Sequence, residues 1–173
     1  GMDWLQSVAA ICIDNGVVPQ WTTPLGLPVR MHYEKQSHLN IKTNVFGVIR
    51  QTRIRKDSGD PSKRKSVNSM APNWVHSYDG IGGLLGESVN LALDHGVHDF
   101  MVIHDDYETH APHVATMAAA ARQATVNIFS GNALADTHRE MSVLLPSGVD
   151  LPEPPPQGDL DVSQVLKAQY YFS

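Results

Sequence analysis

"VIHDDYETHAPH" (102–113) decides how this chain is read, because the apolar run Phe100-Met101-Val102-Ile103 leads directly into His104, Asp105 and Asp106. Glu108, His110 and His113 follow within a few residues. The pattern predicts a short buried strand over 97–103, with "DYETH" returning as its hairpin partner. In an extended 106–110 segment side chains alternate, so Asp106 and Glu108 share one face while Asp105 and Tyr107 take the other. Carboxylates at a strand tip suit hard divalent cations, which take oxygen ligands. A His-Asp pair at a strand end can equally do no more than cap a turn.

Downstream, "APHVATMAAAARQATVNIF" (111–129) predicts a helix ended by Ser130-Gly131, and a shorter helix should follow over 132–144. "LPSGVDLPEPPPQG" (145–158) cannot hold regular structure and reads as a semi-rigid connector. A small amphipathic stretch at 160–168 and the tail Tyr170-Tyr171-Phe172-Ser173 close the chain. Upstream, Pro72 fits the first turn of a helix running to about Asp94 and stopped by Gly96. Val75, Tyr78, Leu85, Val89 and Leu93 could line one face of it. Gly80, Gly82, Gly83 and Gly86 would weaken such a helix by about 1 kcal/mol each relative to Ala, so something should pack very close to its backbone. At the other end, Trp4, Leu5, Val8, Ala9 and Cys12 have helical spacing, stopped by Gly16. "QWTTPLGLPVRMHY" (20–33) holds three breakers and is expected to be extended and irregular.

Between 39 and 55 the period becomes two. Leu39, Ile41, Thr43 and Val45 share one parity, and Phe46, Val48, Arg50, Thr52 and Ile54 share the other. The flip beside Gly47 implies a bulge or a turn. "KDSGDP" (56–61) reads as a further turn, with "SKRKSV" (62–67) as a returning strand. The region is a long, exposed, basic β-ribbon on this reading. Seven of the thirteen Lys and Arg lie between residues 50 and 65 against two Asp, so that window nets +5 while the whole chain carries −5. A basic block on an acidic body is the asymmetry expected where one element meets a polyanion. A merely solvated basic loop is the plainer alternative.

The 173 residues, 42% hydrophobic and 18% charged, suffice for one domain with a real core. No run approaches the ~18 apolar residues that a bilayer crossing needs, and no basic leader precedes Met2-Asp3-Trp4. Gly1 is read as the remnant of a cleaved tag. The single cysteine, Cys12, forms no internal disulfide, fits a reducing compartment and belongs in the core. There are no internal repeats.

Three segments, "TTPLGLPV" (22–29), "APNWVHSYDG" (71–80) and "VIHDDYETHA" (102–111), occur in this order, with the basic ribbon between the first two. Together they resemble the C-terminal part of the single-subunit, bacteriophage- and mitochondrial-type DNA-directed RNA polymerases. In that family a TP-x-G-x-PV segment precedes a ribbon, a PNF-[VI]-HS-x-D segment opens a helix, and an [IV]-HD hairpin carries one catalytic aspartate. The resemblance covers nearly the whole chain. It implies an α+β fold in which helices pack on a small antiparallel hairpin sheet and a basic ribbon protrudes. Its parts would be a helix and extended segment at 2–33, the ribbon at 34–70, palm helices and the His-Asp hairpin at 71–145, and a connector with a C-terminal foot at 146–173.

The resemblance also implies roles. Asp105 and the preceding His104 are the implied catalytic residues; Asp105 matches the palm aspartate that coordinates two Mg²⁺ ions, and Asp106 stands as an additional metal ligand. His76 matches a histidine beside the RNA–DNA hybrid. Lys42, Asn44, Arg50, Arg53 and Arg55 fall in the ribbon that enters the major groove of promoter DNA, and Phe172 and Ser173 in the foot near the active site. The implied partners are promoter and template DNA, the RNA product, ribonucleoside triphosphates and the upstream palm and fingers parts, with no membrane. Such a portion, inactive by itself, is expected to self-associate through the faces that the upstream parts would cover. The expected compartment is the cytoplasm of a phage-infected or prophage-bearing bacterium, ahead of an organelle matrix. Asp106 departs from the usual Ser or Cys after His-Asp, and Glu108 replaces an apolar or glycine position. Two other classes stand as alternatives: a non-catalytic nucleic-acid-binding module, and a metal-dependent phosphohydrolase using His104-Asp105 with His110 and His113. The latter needs an all-helical frame, which the ribbon opposes.

Overall fold

The computed structural model describes residues 1–103 and 106–171, and the expectations for His104, Asp105, Phe172 and Ser173 lie outside the described residues. The fold is α+β, with helices and, among the described residues, three separate two-stranded antiparallel sheets. Helix α1 (Met2–Asp14) buries Trp4, Leu5, Val8, Ala9 and Cys12, the positions its spacing selects, and Gly16 follows at φ 72°. Its apolar stripe packs on α2 (Lys63–Asp79), where Ser66, Met70, Ala71 and Tyr78 are buried. Trp21, Met141 and Leu151 complete this main core. Each fully buried side chain of this size contributes about 1.5–3 kcal/mol. Leu151 shows that the proline-rich connector, though irregular, is docked, and Trp4 Nε1 donates to the Pro152 carbonyl at 2.8 Å.

A smaller core joins α3 (Leu84–Asp94) to α4 (Val114–Phe129) through Ala92, Val97, Met117 and Ala120. The short side chains of α4 let the two helices approach closely. Helix α5 (Ala133–Leu144) opens on Asn132, whose side chain accepts the Ala135 N–H at 3.1 Å. The amphipathic C-terminal stretch forms a 3₁₀ turn, Val162–Lys167, lying on α4.

Several expectations are corrected. The irregular segment at 20–33 contains a small hairpin, β1 (Gln20–Thr22) paired with β2 (Pro28–Arg30). "SKRKSV" is the start of α2 rather than a strand, because the same helix buries Met70 and Ala71 in the core with Val67 packed against them, while the lysines and arginine are good helix formers. Residues 56–61 do not reverse the chain. They end the second ribbon strand, and the turn chemistry is absorbed by a register shift opposite Glu34–Gln36 and by Gly59 at φ 82°. Pro72 lies inside α2, not at its first turn. Its ring removes one N–H from the ladder, and the helix is held on both sides of it, by Met70 and Ala71 in the core and by the anchors of Trp74 and Ser77.

The single helix expected to reach Asp94 is two helices. The Gly80 N–H closes α2 on the His76 carbonyl at 2.9 Å, and Gly80, Gly82 and Gly83 form the break before α3. A Cβ on Gly82 would meet the Thr23 side chain at 2.6–2.9 Å, and one on Gly83 would lie 1.9 Å from the Tyr78 carbonyl oxygen. The close neighbour that the glycines implied is therefore this chain's own β1–β2 turn and helix end. Of the five residues proposed for one helical face, Tyr78 is buried while Val75 and Leu93 are exposed.

Candidate nucleic-acid interface and His-Asp hairpin

The ribbon consists of β3 (Glu34–Val45) and β4 (Val48–Pro61), joined by a two-residue turn at Phe46-Gly47. Both turn residues have positive φ, 52° and 84°, which defines the tight turn whose twist matches a hairpin. The parity flip at Val45-Phe46 is thus a chain reversal. Directly opposed residues point to the same side of an antiparallel pair. Val45 pairs with Val48, Ile41 with Thr52 and Leu39 with Ile54, so the two apolar series fall on one face, with Arg50 opposite Thr43 among them. The other face carries Asn44 opposite Ile49, Lys42 opposite Gln51, Asn40 opposite Arg53 and His38 opposite Arg55.

The structure therefore brings Lys42, Asn44, Arg53 and Arg55 together and sets Arg50 apart from them. His38, Asn40 and Gln51 join that polar face unforeseen, although the two-residue period carried the signal once the turn was placed. Every residue from Lys35 to Pro61 is exposed, and the ribbon is tied at its base. Glu34 accepts from His32 Nε2 at 2.9 Å and from the Gly59 N–H at 2.8 Å, and these bonds hold its carboxyl below the ordinary carboxylate range.

The motif around His76 divides by face. Asn73 Nδ2 donates to the Tyr33 hydroxyl at 2.8 Å, and Trp74 Nε1 donates to Thr137 Oγ1 at 2.9 Å. Ser77 Oγ accepts from Trp21 Nε1 at 2.8 Å and donates to the Trp74 carbonyl at 2.7 Å. Tyr78 stacks on Trp74 with ring centroids 4.4 Å apart, and burial pushes its hydroxyl pKa up. These side chains fasten the helix, and His76 and Val75 are left exposed. The "TTPLGLPV" turn is locked to the same place: the Leu25 N–H donates to the Gly82 carbonyl at 3.0 Å, and Thr23 Oγ1 accepts the Leu27 N–H at 3.0 Å. Two motifs some fifty residues apart in sequence thus form one joint.

Strands β5 (Phe100–Ile103) and β6 (Asp106–Thr109) pair antiparallel, with Ile103 opposite Asp106 and Met101 opposite Glu108. The returning hairpin strand stands where the sequence placed it, but β5 is not buried. Phe100 and Tyr107 pack toward Ala92, Val97, Met117 and Ala120, while Met101 and Ile103 are 52% and 53% exposed. A two-stranded sheet lying on one helix pair has only one face to cover. The outer face accordingly holds Met101, Ile103, Asp106 and Glu108 together. His104 and Asp105 lie outside the described residues. Among the described residues no three His, Cys, Asp or Glu converge to hold a metal. The carboxylates of Asp106 and Glu108 on one face are nonetheless oxygen donors of the kind Mg²⁺ takes.

The C-terminal segment returns to α4. Arg122 donates to the Ala168 carbonyl at 3.4 Å, its guanidinium lies 5.8 Å from the Tyr171 ring centroid, and Thr125 Oγ1 bonds the Tyr171 hydroxyl. Among the described residues no helix is long and apolar enough to cross a membrane.

Residues 1–148 match the family model for DNA-dependent RNA polymerase. The chain is 30% identical over 172 residues to the chloroplastic DNA-directed RNA polymerase 3 of Nicotiana sylvestris, covering 99% of this chain and 17% of that protein. It is 27% identical over 170 residues to the mitochondrial DNA-directed RNA polymerase 1 of Arabidopsis thaliana, covering 98% of this chain and 17% of the relative. Against DNA-directed RNA polymerase 1A of Nicotiana tabacum the identity is 29% over 163 residues, 94% of this chain and 99% of that protein. The chain thus spans about a sixth of the length of the organellar relatives.

Proposed function

Because this chain belongs to the DNA-dependent RNA polymerase family, we propose that it is the C-terminal palm and ribbon portion of a single-subunit enzyme performing template-directed ribonucleotidyl transfer. The observation that carries the reading is the ribbon's division into an apolar face and a face bearing Lys42, Asn44, Arg53 and Arg55. A two-stranded ribbon fits the major groove, where side chains meet both phosphates and base edges. Promoter DNA lies along that face, and the exposed His76 lies beside the RNA–DNA hybrid. The outer face of the hairpin adds two further carboxylates, Asp106 and Glu108, close in sequence to Asp105.

Asp105 and Asp106 would hold Mg²⁺ on this reading, with His104 as the second catalytic residue beside Asp105 in sequence. The chemistry supplied there by bound Mg²⁺ is charge stabilisation of the attacking and leaving oxygens in an in-line displacement at the α-phosphate. Asp105 provides half of such a site. A second palm aspartate and a fingers helix for the triphosphate come from the part of the polymerase outside these residues, so the 173 residues alone are inert. The working compartment is the cytoplasm of a bacterium carrying a phage or prophage, with an organelle as the alternative, since the relatives are named as chloroplastic and mitochondrial. The ribbon is complete within the described residues, which favours a second reading for the isolated chain: a nucleic-acid-binding module without catalysis.

The test is made in a full-length polymerase carrying this segment. Asp105→Asn should reduce transcription by several orders of magnitude, roughly the effect of losing a catalytic metal ligand, while promoter binding stays nearly intact. Asp106→Asn should cost much less. Equal loss from both, or loss from Asp106→Asn alone, would move the metal ligand away from Asp105.

A further inference from the structure

Phe46 stands at the ribbon's turn with its side chain fully exposed, 101% of the reference area, and its backbone at φ 52°. It is the one non-glycine residue with positive φ among the described residues. A bulky side chain is disfavoured there, and Asn or Gly fills the first central position of such a turn at lower cost. Exposure of the whole ring to water is a second penalty. The fully exposed ring gains no packing within the described chain to offset either penalty, and a strained, exposed residue of this kind points to a contact outside the molecule.

The ribbon's charges indicate what that contact is. Three residues separate Lys42 from the end of β3 at Val45, a rise of roughly 10 Å. The major groove is roughly 8.5 Å deep. With Lys42 on a phosphate at the groove rim, the Phe46 ring arrives at the level of the bases. In a closed duplex that level offers only base edges, since each base face is covered by its stacked neighbours. An aromatic ring gains most against a base face, which becomes available where pairs are open. We propose that Phe46 is a stacking residue that holds an unpaired base where the ribbon meets locally opened DNA. This rests on the reading of the ribbon as a DNA contact, and it adds a preference for opened over closed DNA.

The experiment uses the 173-residue chain and two short duplexes carrying 2-aminopurine, one with a run of mismatched pairs around the probe and one fully paired. Affinity, its salt dependence and 2-aminopurine emission are measured for the wild type, Phe46→Asn, Phe46→Trp and the Arg53→Ala/Arg55→Ala pair. Asn-Gly is the favoured sequence for this turn, so Phe46→Asn keeps the ribbon while removing the ring. The wild type should quench the probe in the opened duplex. Phe46→Asn should abolish the quenching and weaken opened-duplex binding roughly tenfold more than paired-duplex binding, with the salt slope kept. Phe46→Trp should restore both. The proposal is overturned if Phe46→Asn matches the wild type on opened DNA, which leaves the tip as a protein contact. It is equally overturned if both duplexes are weakened alike, which means a groove-floor contact. Failure of the underlying reading is separate and visible: Arg53→Ala/Arg55→Ala would then leave the salt slope unchanged, whatever Phe46 does.

Discussion

At the scale of single residues, the informative positions are those whose chemistry is set by their neighbours. Cys12 is fully buried in α1, and burial pushes its thiol up from 9.0 to about 11. A thiol held neutral does not react, so Cys12 should resist labelling by a disulfide reagent at pH 8 until the chain unfolds. Because the folded value lies above the unfolded one, its contribution to stability is intact below pH 9 and lost as pH rises from 9 toward 11. Urea midpoints measured across that window should fall, and Cys12→Ala should remove this part of the fall. Gly83 gives a second residue-scale prediction. With a Cβ 1.9 Å from the Tyr78 carbonyl oxygen, Gly83→Ala should destabilise by about 2 kcal/mol or more, since backbone must move. Gly131→Ala, where no atom lies within 4 Å, should change stability by less than about 0.5 kcal/mol in the same denaturation series.

At the scale of elements, the ribbon is the part most directly open to measurement. Each phosphate neutralised on duplex DNA adds about −0.9 to the log–log salt slope. Arg53→Ala/Arg55→Ala should therefore flatten the slope by up to about 2, while Arg50→Ala, on the opposite face, should flatten it less. Equal effects from Arg50 and from Arg53 would mean the strand faces do not govern the contact. The same element shows how sequence signals are reused. "KDSGDP" has the composition of a turn, and its glycine does take a positive φ, but the result is an irregular strand end anchored on Glu34. Local chemistry permitted a reversal; pairing with β3 was worth more.

For the whole molecule, the arrangement is two small cores with a ribbon and a hairpin projecting from them. The outer face of the hairpin leaves Met101 and Ile103 open beside Asp106 and Glu108, and one ribbon face leaves Leu39, Val45, Val48 and Ile54 open. On the proposed reading, these are the surfaces that the upstream polymerase parts would cover. Primer extension with the purified 173 residues, Mg²⁺ or Mn²⁺ and four ribonucleotides should give no product. Template-dependent extension that disappears in Asp105→Asn would show that the site is complete within this chain.

What the sequence determined by itself was whatever depends on short-range periodicity and on ordered motifs. Helix α1, helices α4 and α5, the returning strand after His104-Asp105, the irregular proline-rich connector and the family all followed from residues close together in the chain or from three motifs in order. Tertiary structure decided the rest. It put Pro72 in mid-helix, because burial of Met70 and Ala71 in the main core outweighed one missing N–H. It turned the glycine run into a helix break, because the β1–β2 turn and the end of α2 occupy the space a Cβ would need. It left β5 half exposed, since a single helix pair covers only one side of a hairpin. It also put Lys42 and Asn44 on the same face as Arg53 and Arg55, because which residues of two strands share a face depends on where the chain turns back. A local pattern specifies what a segment can do, and the contact that covers it, often made by residues fifty or more positions away, selects which of those things it does.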